Sequence, residues 1–145
     1  MSKFPVGHLA DGEREQAEAL QLYRLAAEQG VAGAQCRLGV MFAQGRGVTP
    51  DPGESVRWFR LAAEQGDAEA QGALGLAYAE GRGVTKDFVM AHMWMTLAVA
   101  GLTGPTRDGA FRFRESIAAM MSAEAVAKAD ILAERWKPTS GHKAP

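Results

Sequence analysis

Cysteine is almost missing from this chain: Cys36 stands alone among 145 residues, so no internal disulfide can staple the fold. That fits a reducing compartment, where thiols stay free. Net charge is nearly absent as well. Sixteen Lys and Arg against 17 Asp and Glu leave −1, which excludes a global basic field that would draw in nucleic acid or an anionic membrane. Aromatic residues make up only 8%, and no stretch resembles an interleaved basic and base-stacking surface. Apolar runs are short. The longest, residues 93–102, falls well below the ~20 residues that span a bilayer. The opening Met-Ser-Lys-Phe-Pro-Val-Gly-His carries no apolar core of signal-peptide length. The chain as written is therefore expected in the cytoplasm; a periplasmic or secreted protein would need a different N-terminus.

What the chain has instead is a repeat. Residues 24–30, Arg-Leu-Ala-Ala-Glu-Gln-Gly, return unchanged at 60–66, a spacing of 36. Setting residues 30–65 over 66–101 gives sixteen identities in thirty-six positions, enough to make the period a structural unit. A period of this size marks stacked supersecondary units, none of which buries its apolar face alone.

Each unit reads as two helices. Ala34, Leu38 and Phe42 recur at helical spacing on one face of the first, matched by Ala70, Leu74 and Tyr78. Ala32, Gln35 and Gly39 keep the same phase as Ala68, Gln71 and Gly75. A mid-helix glycine costs about 1 kcal/mol against alanine, so its recurrence points to a close helix crossing. The turn Gly-Arg-Gly-Val-Thr at 45–49 repeats at 81–85, with Gly45 and Gly81 placed for a left-handed helix cap and Val48 and Val84 turned back to the core. A phosphate loop would follow a strand, whereas a helix precedes this turn. Asp51-Pro52 with Glu54 reads as an N-cap and capping box, and Asp87 repeats the cap. Trp58, Leu61 and Ala62 then face the core, matched by Trp94, Leu97 and Ala98, and upstream by Leu22, Tyr23, Leu25 and Ala26.

The combined pattern, Ala-x-Ala-Gln-x-x-Leu-Gly-x-x-Phe/Tyr-x-x-Gly-x-Gly-Val-x-x-Asp followed by Trp and Leu-Ala-Ala, closely resembles the Sel-1-like repeat, a relative of the tetratricopeptide repeat. The ending at 121–138 also resembles the closing helix of many bacterial members. The resemblance implies an all-α, right-handed superhelix of antiparallel helix pairs with a C-terminal helical cap, used as an adaptor surface and without a conserved catalytic residue. Cysteine-rich members linked to weak binding of penicillin-like compounds differ from this chain, whose single Cys does not carry that activity over. The expected organisation is a flexible leader at 1–11, repeats over 12–101 (a half repeat at 12–29, full repeats at 30–65 and 66–101), a capping helix pair at 102–137 and a disordered tail at 138–145. Within that pair, one helix is expected near 107–121 and a second, capped by Ser122, is expected to end near Trp136.

Helix geometry separates the core face of each first helix from its opposite side. The opposite side carries Gly33, Cys36, Arg37, Val40 and Gln44 in one repeat, and Glu69, Gly72, Ala73, Leu76 and Glu80 in the next. By the resemblance this side lines the concave groove. Gly33, Arg37, Val40, Gln44, Glu69, Ala73, Leu76 and Glu80 are therefore the candidate contacts for a protein or peptide partner, with Arg37 suited to a carboxylate. The leading half repeat lacks its own first helix, so α-helical residues near Leu22 and Tyr23 are expected to pack on a second copy, another protein or an upstream region; leader residues Phe4, Val6 and Leu9 offer partial cover. A self-assembling structural unit is thus the alternative to an adaptor, with a weakly hydrolytic or small-molecule-binding domain a more distant one.

Chemistry is sparse. His8, His92 and His142 lie far apart without metal-ligand spacing, and Cys36 has neither a Cys-x-x-Cys partner nor a nearby His. Cys36 is expected to be a small, partly exposed helix residue, and His92 a partly buried or interfacial one. Arg107, Arg112 and Arg114, close to Phe111 and Phe113, read as a solvated helix face, as do Glu13, Glu15 and Glu18. No catalytic constellation, metal site or cofactor site is expected.

Overall fold

A computed structural model describes residues 11–139 as seven helices, with no strand among the described residues. They are α1 (Asp11–Glu28), α2 (Ala32–Gln44), α3 (Pro52–Glu64), α4 (Ala68–Glu80), α5 (Phe88–Gly101), α6 (Gly104–Ala118) and α7 (Ala123–Arg135). From α1 to α5 each helix packs on the next in sequence, and both α6 and α7 then seat on α5. The result is an α-solenoid of antiparallel helix pairs with a helical C-terminal cap. The leader residues Phe4, Val6 and Leu9 lie outside the described residues.

The helix starts follow local chemistry. Side chains of Asp51, Asp67, Asp87 and Ser122 each accept the backbone N–H three residues on, at 3.1, 2.9, 3.1 and 3.0 Å. The capping box at 51–54 is only half made. Glu54 turns to the Arg57 Nε at 3.2 Å, and the Asp51 N–H donates instead to the Phe42 carbonyl at 2.9 Å. Asp87 repeats that link with Tyr78, also at 2.9 Å, so the aspartate ties the second helix of each pair back to the first.

Each turn glycine has its own job. Gly45 (φ 72°) and Gly81 (φ 68°) are left-handed caps, as the turn motif predicts. Gly47 and Gly83 keep the repeats close. A Cβ on Gly47 would meet the Gln16 carbonyl of α1 at 2.8 Å, and one on Gly83 would overlap the Pro52 carbonyl of α3. Gln16 and Pro52 are themselves 36 residues apart, so one close approach is made twice. Two of the turn amides are used internally: Gly45 and Arg46 N–H both donate to the Met41 carbonyl, at 2.8 and 3.0 Å.

The core repeats with the same period. Gly39 lets the Phe59 ring lie where a Cβ would meet it at 2.7 Å, and Gly75 does the same for Met95 at 3.1 Å. Gln35 and Gln71 are fully buried, each donating to the carbonyl eight residues earlier, Ala27 or Ala63, at 3.2 Å. Each carbonyl, near the end of α1 or α3, also accepts a backbone N–H at 3.0 Å, from Gly30 or Gly66, so the glutamine adds a second hydrogen bond to it while satisfying its own buried amide. Trp58 is 1% exposed in a cluster with Leu20 and Ala27 of α1 and Leu38 of α2.

The upstream helix departs from the expected phase. Ala17, Leu20 and Ala27 are its buried residues, whereas Leu22 is 68% and Leu25 63% exposed. Both leucines stand at the repeat positions of Trp58 and Leu61, which are covered by the preceding unit; none of the described residues covers the same face of α1.

At the other end, α6 begins at Gly104, ahead of the expected start near residue 107, because Pro105 suits a first helical turn. The segment after α7 is held as far as Thr139, so residues 138 and 139 do not belong to a free tail. Trp136 meets Trp94 edge-on at 6.2 Å, and the Thr139 N–H and Oγ1 both donate to the Glu64 carbonyl, at 2.7 and 3.1 Å.

Candidate interaction groove

Where a second helix of one unit meets the first helix of the next, the helices splay and leave a cleft. One, of about 210 Å³, lies between α3 and α4. Its floor is apolar, from Val56 and Phe59 of α3 and Ala73, Leu76 and Ala77 of α4; Val40, Ala43 and Gln44 of α2 extend it, and Glu80 and Arg82 edge it. A second, wider cleft of about 590 Å³ lies between α1 and α2. Its Gln16, Ala19, Tyr23, Val40, Met41 and Arg46 stand 36 residues before Pro52, Ser55, Phe59, Leu76, Ala77 and Arg82 of the first. The two clefts are one feature made twice. They share Val40, which stands between them on α2.

Equivalent positions have diverged in chemistry. Ala73 in the first cleft corresponds to Arg37 in the second, and Phe59 to Tyr23. One half offers an apolar seat, the other a polar rim.

Of the residues expected to face a partner, Val40, Gln44, Ala73, Leu76 and Glu80 line the first cleft, while Arg37 and Val40 line the second. Arg37 is already engaged. Its Nη2 sits 3.1 Å from Glu69 Oε2, both side chains about half exposed (51% and 52%), so two expected contacts form an ion pair bridging consecutive repeats. A partner carboxylate at Arg37 must compete with Glu69. Gly33 is exposed at the start of α2, with open space around it, and lines neither cleft.

Two residues assigned to this side belong elsewhere. Cys36 is buried, 2% exposed, contrary to the partly exposed position expected. Desolvation first, then the carboxylates of Asp67 and Glu69, push its thiol up to about 12, so it stays protonated and unreactive. Gly72, its counterpart, faces the Ala98 Cβ of α5 at 3.7 Å from a would-be Cβ. This helix position is turned toward helix packing rather than toward the groove. Conversely, sequence reasoning placed only first helices in the groove and missed the α3 wall, Val56 and Phe59, and the turn residue Arg82. An aromatic recurring at 23 and 59, beside the core Trp58, was the available signal.

The remaining chemistry is structural. His92 is 4% exposed between α5 and the cap, its Nδ1 3.9 Å from Asp130 Oδ1 of α7. Burial lowers its pKa below the ordinary histidine value; Arg114 adds to the shift, while Asp130 and Glu115 oppose it. Arg114 lies over the Phe111 ring at 5.1 Å and reaches Thr96 Oγ1 at 3.4 Å, which makes it part of the α5–α6 packing. Among the described residues no group of three metal-ligating side chains converges, and no helix is long and apolar enough to cross a membrane.

Repeated helix pairs, stacked with a 36-residue period and with clefts at the α1–α2 and α3–α4 junctions, define an α-solenoid repeat protein. The chain belongs to the Sel1 repeat family, whose Sel1 repeat model matches residues 7–31, 32–67 and 68–101. Its structure is similar to the crystal structure of a protective antigen present in uropathogenic Escherichia coli strains and displaying an SLR fold, with TM-score 0.79 and 32% identity over 88% of this chain. It is also similar to a Sel1 repeat protein from Oxalobacter formigenes, with TM-score 0.59 and 38% identity over 63% of this chain. The chain spans 27% and 37% of those two proteins. No curated protein matches the sequence. Sel1 repeat proteins generally act as protein-interaction scaffolds.

Proposed function

We propose that this chain is a non-catalytic scaffold that holds an extended segment of a protein partner along the groove formed by its two repeat-equivalent clefts. The observation that carries the reading is the 36-residue correspondence between the clefts, which gives an extended ligand one seat per repeat. An apolar side chain suits the α3–α4 cleft, where Phe59, Val56 and Leu76 supply contact; a polar neighbour suits the rim near Arg37, Glu69 and Arg46. Cys36, buried and protonated, and His92, enclosed against the C-terminal cap, are both poorly placed as a nucleophile or a base.

Selection of random displayed peptides on the intact chain tests this. Leu76 is 40% exposed, so Leu76→Asp places a charge in the apolar seat without emptying the core. Selected peptides are expected to share an aliphatic or aromatic anchor and to lose at least about tenfold in affinity, roughly 1.4 kcal/mol, on Leu76→Asp. Peptides that bind the variant equally well would move the site off the groove.

A further inference from the structure

The side of the first helices that lines the clefts continues into the C-terminal cap. α2, α4 and α6 begin at residues 32, 68 and 104, each 36 after the last. Their seating on the preceding helix keeps the same step. Arg24 lies over the Phe42 ring at 5.8 Å and Arg60 over Tyr78 at 5.7 Å. At the third junction the two sides exchange chemistry, and Arg114 donates to Thr96 Oγ1 at 3.4 Å. Residues 96 and 114 stand 36 beyond 60 and 78, so α6 sits on α5 in the register of α4 on α3. Val40 and Leu76, which line the clefts, thus have Arg112 as the third member of their row.

The arginines of α6 differ in what they touch. Arg114 is spent on Thr96, the Phe111 ring and Glu115, the last at 3.4 Å. Arg112 is exposed and, among the described residues, makes no hydrogen bond, ion pair or ring contact. Gly109, one turn earlier in the row of Arg37 and Ala73, has nothing within 4 Å of a would-be Cβ, which leaves Arg112 open to approach from that side. Nearby carboxylates do not claim it. Glu115 is held by Arg114, and Glu80 belongs to the row of Gln44 and Ser116. Asp108 lies one turn before Arg112, unpaired with it. An exposed pair at that spacing shifts an equilibrium by only about a factor of two.

We propose that the partner segment carries an acidic side chain beyond its apolar anchor, and that Arg112 binds it. Resting on the proposed groove function, this contact orders the partner's chemistry: apolar at Val40 and Leu76, then acidic at Arg112. Arg37, the arginine expected to take a carboxylate, is already paired with Glu69, whereas Arg112 offers the same planar fork unclaimed. First helices of stacked repeats lie roughly 10 Å apart, one helix width. An extended chain covers that distance in about three residues. The acidic residue is therefore expected about three positions from the anchor that fills the α3–α4 cleft.

Random displayed peptides selected in parallel on the intact wild-type, Arg112→Glu and Leu76→Asp chains read the outcome. Both positions are exposed, and matched melting temperatures check the fold of each variant. Wild-type pools are expected to enrich Asp or Glu about three positions from an apolar anchor. Arg112→Glu is expected to keep the anchor and to replace the acidic preference with Lys or Arg. In synthetic peptides, exchanging the acidic residue for its amide is expected to cost about three- to fivefold in affinity at low salt. The same exchange is expected to cost almost nothing on Arg112→Gln. An anchor selected without an acidic neighbour, or an acidic preference that survives Arg112→Glu, overturns this contact and leaves the groove standing. Identical peptides selected on Leu76→Asp overturn the groove, and the Arg112 contact with it. A folded wild-type chain that selects no peptide overturns both.

Discussion

Residues 24–30 and 60–66 have the same sequence, yet the two copies live differently. Leu61 is packed under the first repeat's core cluster, while Leu25, in identical local surroundings, is 63% exposed. Three residues earlier the contrast is sharper, with Trp58 1% and Leu22 68% exposed. Both segments form helix, both end in a positive-φ glycine, and both give their Ala27 or Ala63 carbonyl to a buried glutamine. What differs is the neighbour. Behind α3 stand α1 and α2; behind α1 stands no described helix. Propensity and capping thus form the helix in either place, whereas burial of an apolar stripe is a property of the stack.

The largest test of this comparison is Trp58→Ala against Leu22→Ala. The first empties a closed site and is expected to cost about 3–5 kcal/mol in urea unfolding. The second, at the equivalent exposed position, should stay within about 0.5 kcal/mol. A large loss at Leu22 would mean that its face is covered, and the distinction between the two helices would fall.

The turns sharpen it next. Gly83→Ala forces a methyl group against the Pro52 carbonyl at a positive φ, with an expected loss of about 1–3 kcal/mol. Gly47→Ala makes the same collision with Gln16 of α1, and α1, held among the described residues from one side, is expected to yield more readily. The loss there should be smaller, read from the difference in melting temperature. Equal losses would show α1 to be as firmly seated as α3.

A third test contrasts the open α1 end with the capped α5 end through pH. The pKa of His92 is lowered in the folded state, so the unfolded chain binds the proton more readily. Stability is then expected to fall as pH drops from about 6.5 through the lower folded value. Hydrogen exchange should report this as loosening of α6 and α7 with little change in α1, and His92→Gln should flatten the pH slope. A loss spread evenly over all helices would place the sensitivity elsewhere.

Cys36 gives the smallest effect. At pH 8 its thiol is almost wholly protonated and enclosed, so alkylation should await unfolding. Modification of the native chain at the rate of a free thiol would place the α2–α4 contact among its mobile parts.

Much of the fold was legible because repetition reports packing twice. Ala34, Leu38 and Phe42 with their counterparts, the Gly45 and Gly81 caps, and the Asp51, Asp87 and Ser122 N-caps are local signals, read from spacing and residue chemistry. The errors came where a position faces something distant in sequence. Cys36 sits on the side of α2 opposite the core triad by helical angle, but Asp67 at the start of α4 closes over it. Arg37 looked free until Glu69 of the next repeat came within 3.1 Å. Phe59 drew no assignment from the sequence, yet its ring both fills the space left by Gly39 and floors the cleft.

The sequence alone determined the repeat, the two helices per unit, the turn chemistry and the repeat family, since each depends on residues within one 36-residue period. Tertiary structure decided the rest: which groove positions remain free, that Thr139 ties the end of the chain to Glu64 across 75 residues, and that Leu22 is left open where Trp58 is sealed. The physical reason is that helix propensity, capping and turn geometry act over a few bonds. Burial and ion pairing depend on which surfaces the stack brings together, and a repeat carries no label for its own first copy.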